Sequence, residues 1–176
     1  MNKISFYVHS KLQLKNKIFY PDKKDYINSD NRMLFFLELK KRFEDLGYSL
    51  NTQDINTIDE SKIAIYQQIP NKKNLIKNNS YLFLLESDTV TKKNWDKNLH
   101  KDFKKIFTYK LIDDDKYVQI FNSYSFNRPI LLQPKLNFKS VMICSNKKST
   151  GKNELYSTRL NFVRYMNKYF RNNFDL

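Results

Sequence analysis

Glu86 follows directly on the continuous apolar run Tyr81-Leu-Phe-Leu-Leu85, which reads as a strand covered on both faces. In α/β proteins, ligands settle in the crevice beyond the carboxyl ends of the strands. A carboxylate that is partly desolvated in such a crevice favours its protonated form more than usual and can serve as a general base. The plain alternative is a strand-end glutamate in solvent or beside one of many lysines. Position alone favours the plain reading.

The second chemical grouping is basic. Between Lys139 and Arg171 eight basic residues stand against one acid, which supplies half of the net charge of +14. The loop Lys147-Lys-Ser-Thr-Gly-Lys152 runs straight into an expected helix, and exposed amides and the helix dipole make such a junction favourable for phosphate. Arg159 lies about one and a half turns into that helix, at the border of an apolar stripe formed by Tyr156, Leu160, Val163 and Phe170. A guanidinium there can grip a diphosphate in bidentate geometry. It can equally be a surface arginine with its stem along the core edge, and on residues alone that is the better reading. A Walker-type phosphate loop is excluded, because Asn146 stands where its first glycine belongs and Asn153 replaces the Ser or Thr.

Other chemistries find little support. The chain has only two glycines, too few for a dinucleotide fingerprint. His9 and His100 lie far apart and have no metal-ligand companion at short spacing, and with Cys144 as the single cysteine no zinc site is expected. The run Asp113-Asp-Asp115 reads as a solvated turn rather than a cation site, and no nucleophile triad is visible.

These residues need elements to hold them. Ile4 to Val8 reads as a buried strand followed by a polar loop, and Asn28-Ser-Asp30 offers N-caps to a helix from about Asn31 to Leu46. Phe35, Leu39, Phe43 and Leu46 recur at helical spacing, and Gly47 supplies the stop. Strands are expected at Ile63 to Tyr66, Tyr81 to Leu85, Ile106 to Tyr109 and Tyr117 to Phe121, with a short helix from Trp95 to Asp102. Alternating strands and helices argue for a largely parallel sheet and the α/β class. Residues 123–137 hold Pro129 and Pro134 without clear period and read as a linker between a domain over 1–122 and a second beginning at 138. That second part reads as strand, basic loop, long helix and the first residues of another strand at Phe174-Asp-Leu176. The chain is therefore expected to be the front part of a two-domain enzyme.

Apolar residues make up 40% of the 176, enough for a core, and aromatics are abundant with 14 Phe and 12 Tyr. The net charge admits an anionic partner, but a Lys- and Asn-rich compositional bias is the stronger reading, because no RNA- or DNA-binding motif is present. A lone cysteine fits a reducing compartment. The short apolar run before His9 is too brief for a signal peptide, and no run reaches the ~20 residues of a membrane span. A cytoplasmic location is expected, with peripheral membrane association left open.

Taken in order, Leu85-Glu-Ser87, Asn94-Trp95, His100, Phe103, Ile106-Phe-Thr-Tyr109 and Asp114-Asp-Lys-Tyr117 resemble the series seen in glycosyltransferase family 10, the α-1,3/4-fucosyltransferases. Ser145-Asn-Lys147, the Leu-Tyr-x-x-Arg of Leu155 to Arg159, and Phe174-Asp-Leu176 continue the pattern, so the resemblance spans roughly Tyr81 to Leu176. It implies a GT-B architecture, with an acceptor-side Rossmann-like domain followed by the first βαβ unit of a donor domain. It implies transfer of L-fucose from GDP-fucose to a hydroxyl of a glycan, with inversion and without a catalytic metal or other cofactor. Glu86 matches the family's general base, and Arg159 matches the arginine on the donor diphosphate. Asn146, Lys147 and Tyr156 fall in the motifs assigned to the donor side.

The chain departs from the family at Asp88, where proline often follows Glu-Ser, and the donor motif Tyr-x-Thr-Glu-Lys does not occur in these residues. The chain alone is therefore expected to be inactive. Two alternatives remain: a non-catalytic basic module that binds an anionic polymer such as nucleic acid, and a degenerate transferase remnant that binds glycans.

Overall fold

The computed structural model describes residues 2–20, 33–72, 76–121, 140–142, 148–151 and 154–175. The chain divides into two compact units, 1–127 and 128–176. The expected linker over 123–137 and the helix caps Asn28-Ser-Asp30 lie outside the described residues.

The first unit is built on six strands: β1 (Asn2–Tyr7), β2 (Tyr48–Thr52), β3 (Ile63–Tyr66), β4 (Ser80–Leu84), β5 (Lys105–Thr108) and β6 (Tyr117–Gln119). They form one sheet in the order β2-β1-β3-β4-β5-β6, with every neighbouring pair parallel. A parallel sheet needs apolar cover on both faces, and the side-chain alternation supplies it. Ile4, Phe6, Ile65 and Phe83 pack on one face with Phe36, while Ala64, Tyr66, Leu82, Leu84 and Ile106 pack on the other with Phe103. The α/β reading with a parallel sheet holds.

The helix α1 (Leu34–Asp45) crosses from β1 to β2. Phe35, Leu39 and Phe43 rest half-buried on the core and Phe36 is fully enclosed by it. Leu46, expected on the same stripe, is instead 71% exposed, because it sits past the last helical turn. Gly47 ends the helix at φ +79, and its amide donates to the Glu44 carbonyl.

The expected helix from Trp95 to Asp102 is broken in two. A 3-10 turn covers Lys92–Trp95, and α2 (Lys97–His100) follows after Asp96, whose carboxylate accepts from the Asn98 amide at 2.9 Å. The polar loop after β1 contains a 3-10 turn at Lys11–Gln13 and two buried apolar side chains, Ile18 and Phe19. Asn16, in left-handed conformation, exchanges hydrogen bonds with Thr52 and ties this loop to the sheet edge at β2. The run Asp113-Asp-Asp115 is the expected turn, in which Asp114 accepts from the Lys116 amide at 2.8 Å.

In the second unit, β7 (Ser140–Val141) and β8 (Phe174–Asp175) pair in parallel, joined through α3 (Tyr156–Tyr169). Val163 and Phe174 are buried, but Leu160 and Phe170, expected on the buried stripe, are 40% and 44% exposed. Among the described residues, the two-residue strands β7 and β8 offer little surface to cover a helix of fourteen residues. No helix among the described residues is long and apolar enough to cross a membrane.

Candidate functional site

From β1 the chain passes outward to β2, and from β3 onward it proceeds in the opposite direction across the sheet. The connections therefore part between β1 and β3, and such a topological switch point opens a crevice at the carboxyl ends of the strands. A cavity of about 480 Å³ lies there. His9 and Ser10 follow β1, Gln67 and Gln68 follow β3, and Leu85 and Glu86 follow β4, and all of them line it. Met33 and Phe36 bring apolar surface from α1 and its start, while Gln13, Val90 and Thr91 complete the described wall.

Main-chain bonds hold this rim in place. Gln53 accepts from the Val8 amide at 3.0 Å and donates to the Val8 carbonyl at 2.8 Å, fixing the chain as it leaves β1. The Gln67 amide donates to the Tyr7 carbonyl at 3.0 Å. Buried Asn94 accepts from the Ile69 amide at 3.0 Å, and the Trp95 indole donates to the Glu86 carbonyl at 2.9 Å. Val90 and Thr91 donate their amides to the Ser87 carbonyl, closing the turn after Glu86.

Glu86 is thus where the sequence placed it, past the end of a buried strand and on a cavity. Its side chain is exposed, however, so this unit does not supply the desolvation expected of it. The cavity has a clear chemical character. Its described lining includes three carboxamides, two hydroxyls, one imidazole and one carboxylate, but no lysine or arginine.

His9 was set aside in the sequence for want of a metal-binding companion; the fold places it in the same cavity as Glu86. Gln13, Gln67 and Gln68 carry no motif. Only the rule that strand ends converge at a switch point could have selected them. His100, by contrast, is a core residue. Its Nε2 donates to the Asn94 carbonyl at 2.7 Å, which leaves Nδ1 to accept from the Tyr117 hydroxyl at 2.7 Å. Among the described residues no group of three His, Cys, Asp or Glu side chains could hold a metal.

The donor-side residues of the second unit stand differently. A cavity of about 600 Å³ is lined by Lys148, Ser149, Thr150, Glu154, Tyr156, Ser157 and Leu160 at the start of α3. Tyr156 is among these lining residues, but the first amides of the helix are taken. Glu154 accepts from the Tyr156 and Ser157 amides with its own carboxylate. Arg159 is exposed, with its guanidinium carbon 5.8 Å from the Tyr156 ring centroid. Asn146 and Lys147 lie outside the described residues. Compared with family models, with curated proteins and with solved structures, the chain matches none.

Proposed function

We propose that the chain forms the acceptor side, and the opening of the donor side, of an inverting GT-B glycosyltransferase that moves L-fucose from GDP-fucose to a glycan hydroxyl. The resemblance to family 10 names the reaction. The observation that carries the assignment of sides is the chemistry of the first unit's cavity. In a chain of net charge +14, its described lining holds no cation. Carboxamides and hydroxyls both donate and accept, which suits a neutral polyhydroxyl ligand, whereas a phosphate would find no cation among them to balance its charge. The volume of about 480 Å³ lies within the range of about 300–1,000 Å³ common for small-molecule sites.

In this reading the acceptor hydroxyl oxygen attacks C1 of fucose from the face opposite GDP and its proton passes to Glu86. The bond from C1 to the β-phosphate oxygen breaks, its electron pair leaves with GDP, and the configuration inverts. Arg159, Lys147, Asn146 and Tyr156 belong to the donor side, where a cation offsets the charge developing on the leaving group.

The test is Glu86→Gln in a form of the protein with a complete donor unit, assayed for transfer from GDP-fucose to an N-acetylglucosamine-ended acceptor. An amide cannot take the proton, so kcat should fall by about 10²–10⁴ with GDP affinity unchanged. Near-normal kcat would assign the base to another residue. The alternative of an anionic-polymer module requires tight nucleic-acid binding. The expected binding is weak, unselective and steeply salt-dependent.

A further inference from the structure

Beside Glu86, on the side away from β3, the ends of β4 and β5 carry an aromatic shelf. Leu84 of β4 stands opposite Thr108 of β5, so Leu85 and Glu86 leave the sheet alongside Tyr109 and Lys110. Tyr109 is 40% exposed. Trp95 braces it, with ring centroids 6.1 Å apart and planes at 71°. The Lys110 ammonium lies 3.9 Å from the Trp95 ring centroid and covers that ring. The main chain of Tyr109 is fixed as well, since Gln119 of β6 donates to its carbonyl at 3.2 Å. The same Trp95 holds the Glu86 carbonyl, so shelf and cavity rim share one support.

We infer that Tyr109 forms a second saccharide subsite, so that the acceptor is an oligosaccharide spanning the cavity and this shelf. The inference rests on the proposed function. A fixed, half-exposed ring presents an apolar face of the kind that binding sites use for contact area at little entropic cost. The C–H face of a sugar offers the matching surface. Burial, then the charges of Asp88 and Glu86, push the Tyr109 phenol above its ordinary range, and like any phenol at neutral pH its hydroxyl can donate as well as accept. The cavity alone is of a size for one or two sugar rings. Tyr109 stands outside the cavity's lining, on the β5 side of Glu86.

The experiment is a heteronuclear NMR titration of the ¹⁵N-labelled chain with N-acetylglucosamine and with chitotriose, on wild type, Tyr109→Ala and Tyr109→Phe. The trisaccharide should bind about ten-fold more tightly than the monosaccharide, a difference that aromatic contacts of this kind supply. It should also shift the amides of Tyr109 and Lys110, which the monosaccharide leaves unmoved. Tyr109→Ala should erase the ten-fold gain without changing monosaccharide affinity, and Tyr109→Phe should keep most of it. Equal affinity for the two sugars, or equal weakening of both by Tyr109→Ala, would overturn the subsite while leaving the cavity reading intact. Failure of both sugars to shift the cavity amides would overturn the proposed function and the subsite with it.

Discussion

The indole of Trp95 reaches the main chain of Glu86 through a 2.9 Å hydrogen bond to its carbonyl. Trp95→Phe keeps an aromatic ring but removes the donor. A stability loss of about 1 kcal/mol is expected, together with faster hydrogen exchange at the Val90 and Thr91 amides, which close the same turn. Unchanged exchange would show that the turn holds itself. A second residue makes a pH prediction. Tyr66 is fully buried between the Tyr7 and Phe103 rings, and burial pushes its phenol up to about 12, with a Ser80 hydrogen bond acting in the opposite direction. The unfolded phenol ionises near pH 10, so between about pH 10 and 12 the folded chain holds this proton more tightly. The stability from Tyr66 is therefore intact below pH 10 and is lost as the pH rises through 12, at up to about 1.4 kcal/mol per pH unit. Urea unfolding at pH 9 and pH 11.5 measures the drop, and Tyr66→Phe should flatten it. At this scale the sequence exposes Glu86, because an apolar run ending in an acid is a local signal. His9, Gln67 and Gln68 stay hidden, because their meaning comes from strands that are neighbours only in space.

At the scale of elements, Gly47 shows a conformational requirement with no steric one. Its φ of +79 lies in the left-handed region, and an added Cβ would meet nothing within 4 Å. Gly47→Ala should therefore cost about 1 kcal/mol from backbone conformation alone, read as a lower denaturant midpoint. A neutral result would mean the turn can relax to negative φ. In α3 the sequence correctly locates the helix and its basic entry, but not that Glu154 fills the first amides. Glu154→Ala should lower α3 stability by about 0.5–2 kcal/mol. It should also raise affinity for pyrophosphate, because an internal anion no longer competes for the helix start. Calorimetry that shows unchanged affinity would place any phosphate elsewhere. The strands at Ile63 to Tyr66 and Tyr81 to Leu85 are legible because burial on both faces demands unbroken apolar runs. Strand β2 is not anticipated because its sequence Tyr-Ser-Leu-Asn-Thr alternates at a sheet edge, with only Leu50 and Thr52 buried. The break before α2 is equally opaque, since it depends on Asp96 capping a new start rather than continuing the old helix.

At the scale of the molecule, the two units differ sharply in what they bury. The first has a sheet enclosed on both faces, whereas in α3 of the second only Val163 is buried, with Phe162, Tyr165 and Tyr169 exposed, as is Phe170 just after it. Stability follows buried apolar contact, so the α3 amides should exchange with solvent well before those of β1 and β4. Equal protection would show support that the buried residues do not supply. The α/β class and the parallel sheet follow from the alternation of elements, but the strand order, and with it the crevice between β1 and β3, is a non-local outcome that no window of sequence contains. The central claim is that this crevice takes a neutral sugar beside Glu86 and leaves anions to the second unit. Amide mapping of the ¹⁵N-labelled chain with N-acetylglucosamine, and separately with pyrophosphate, tests it most directly. The sugar should shift Ser10, Gln67, Gln68 and Glu86 and leave 148–159 unmoved, and pyrophosphate should spare the first set. Pyrophosphate shifting the crevice amides, or the sugar failing to, would contradict it.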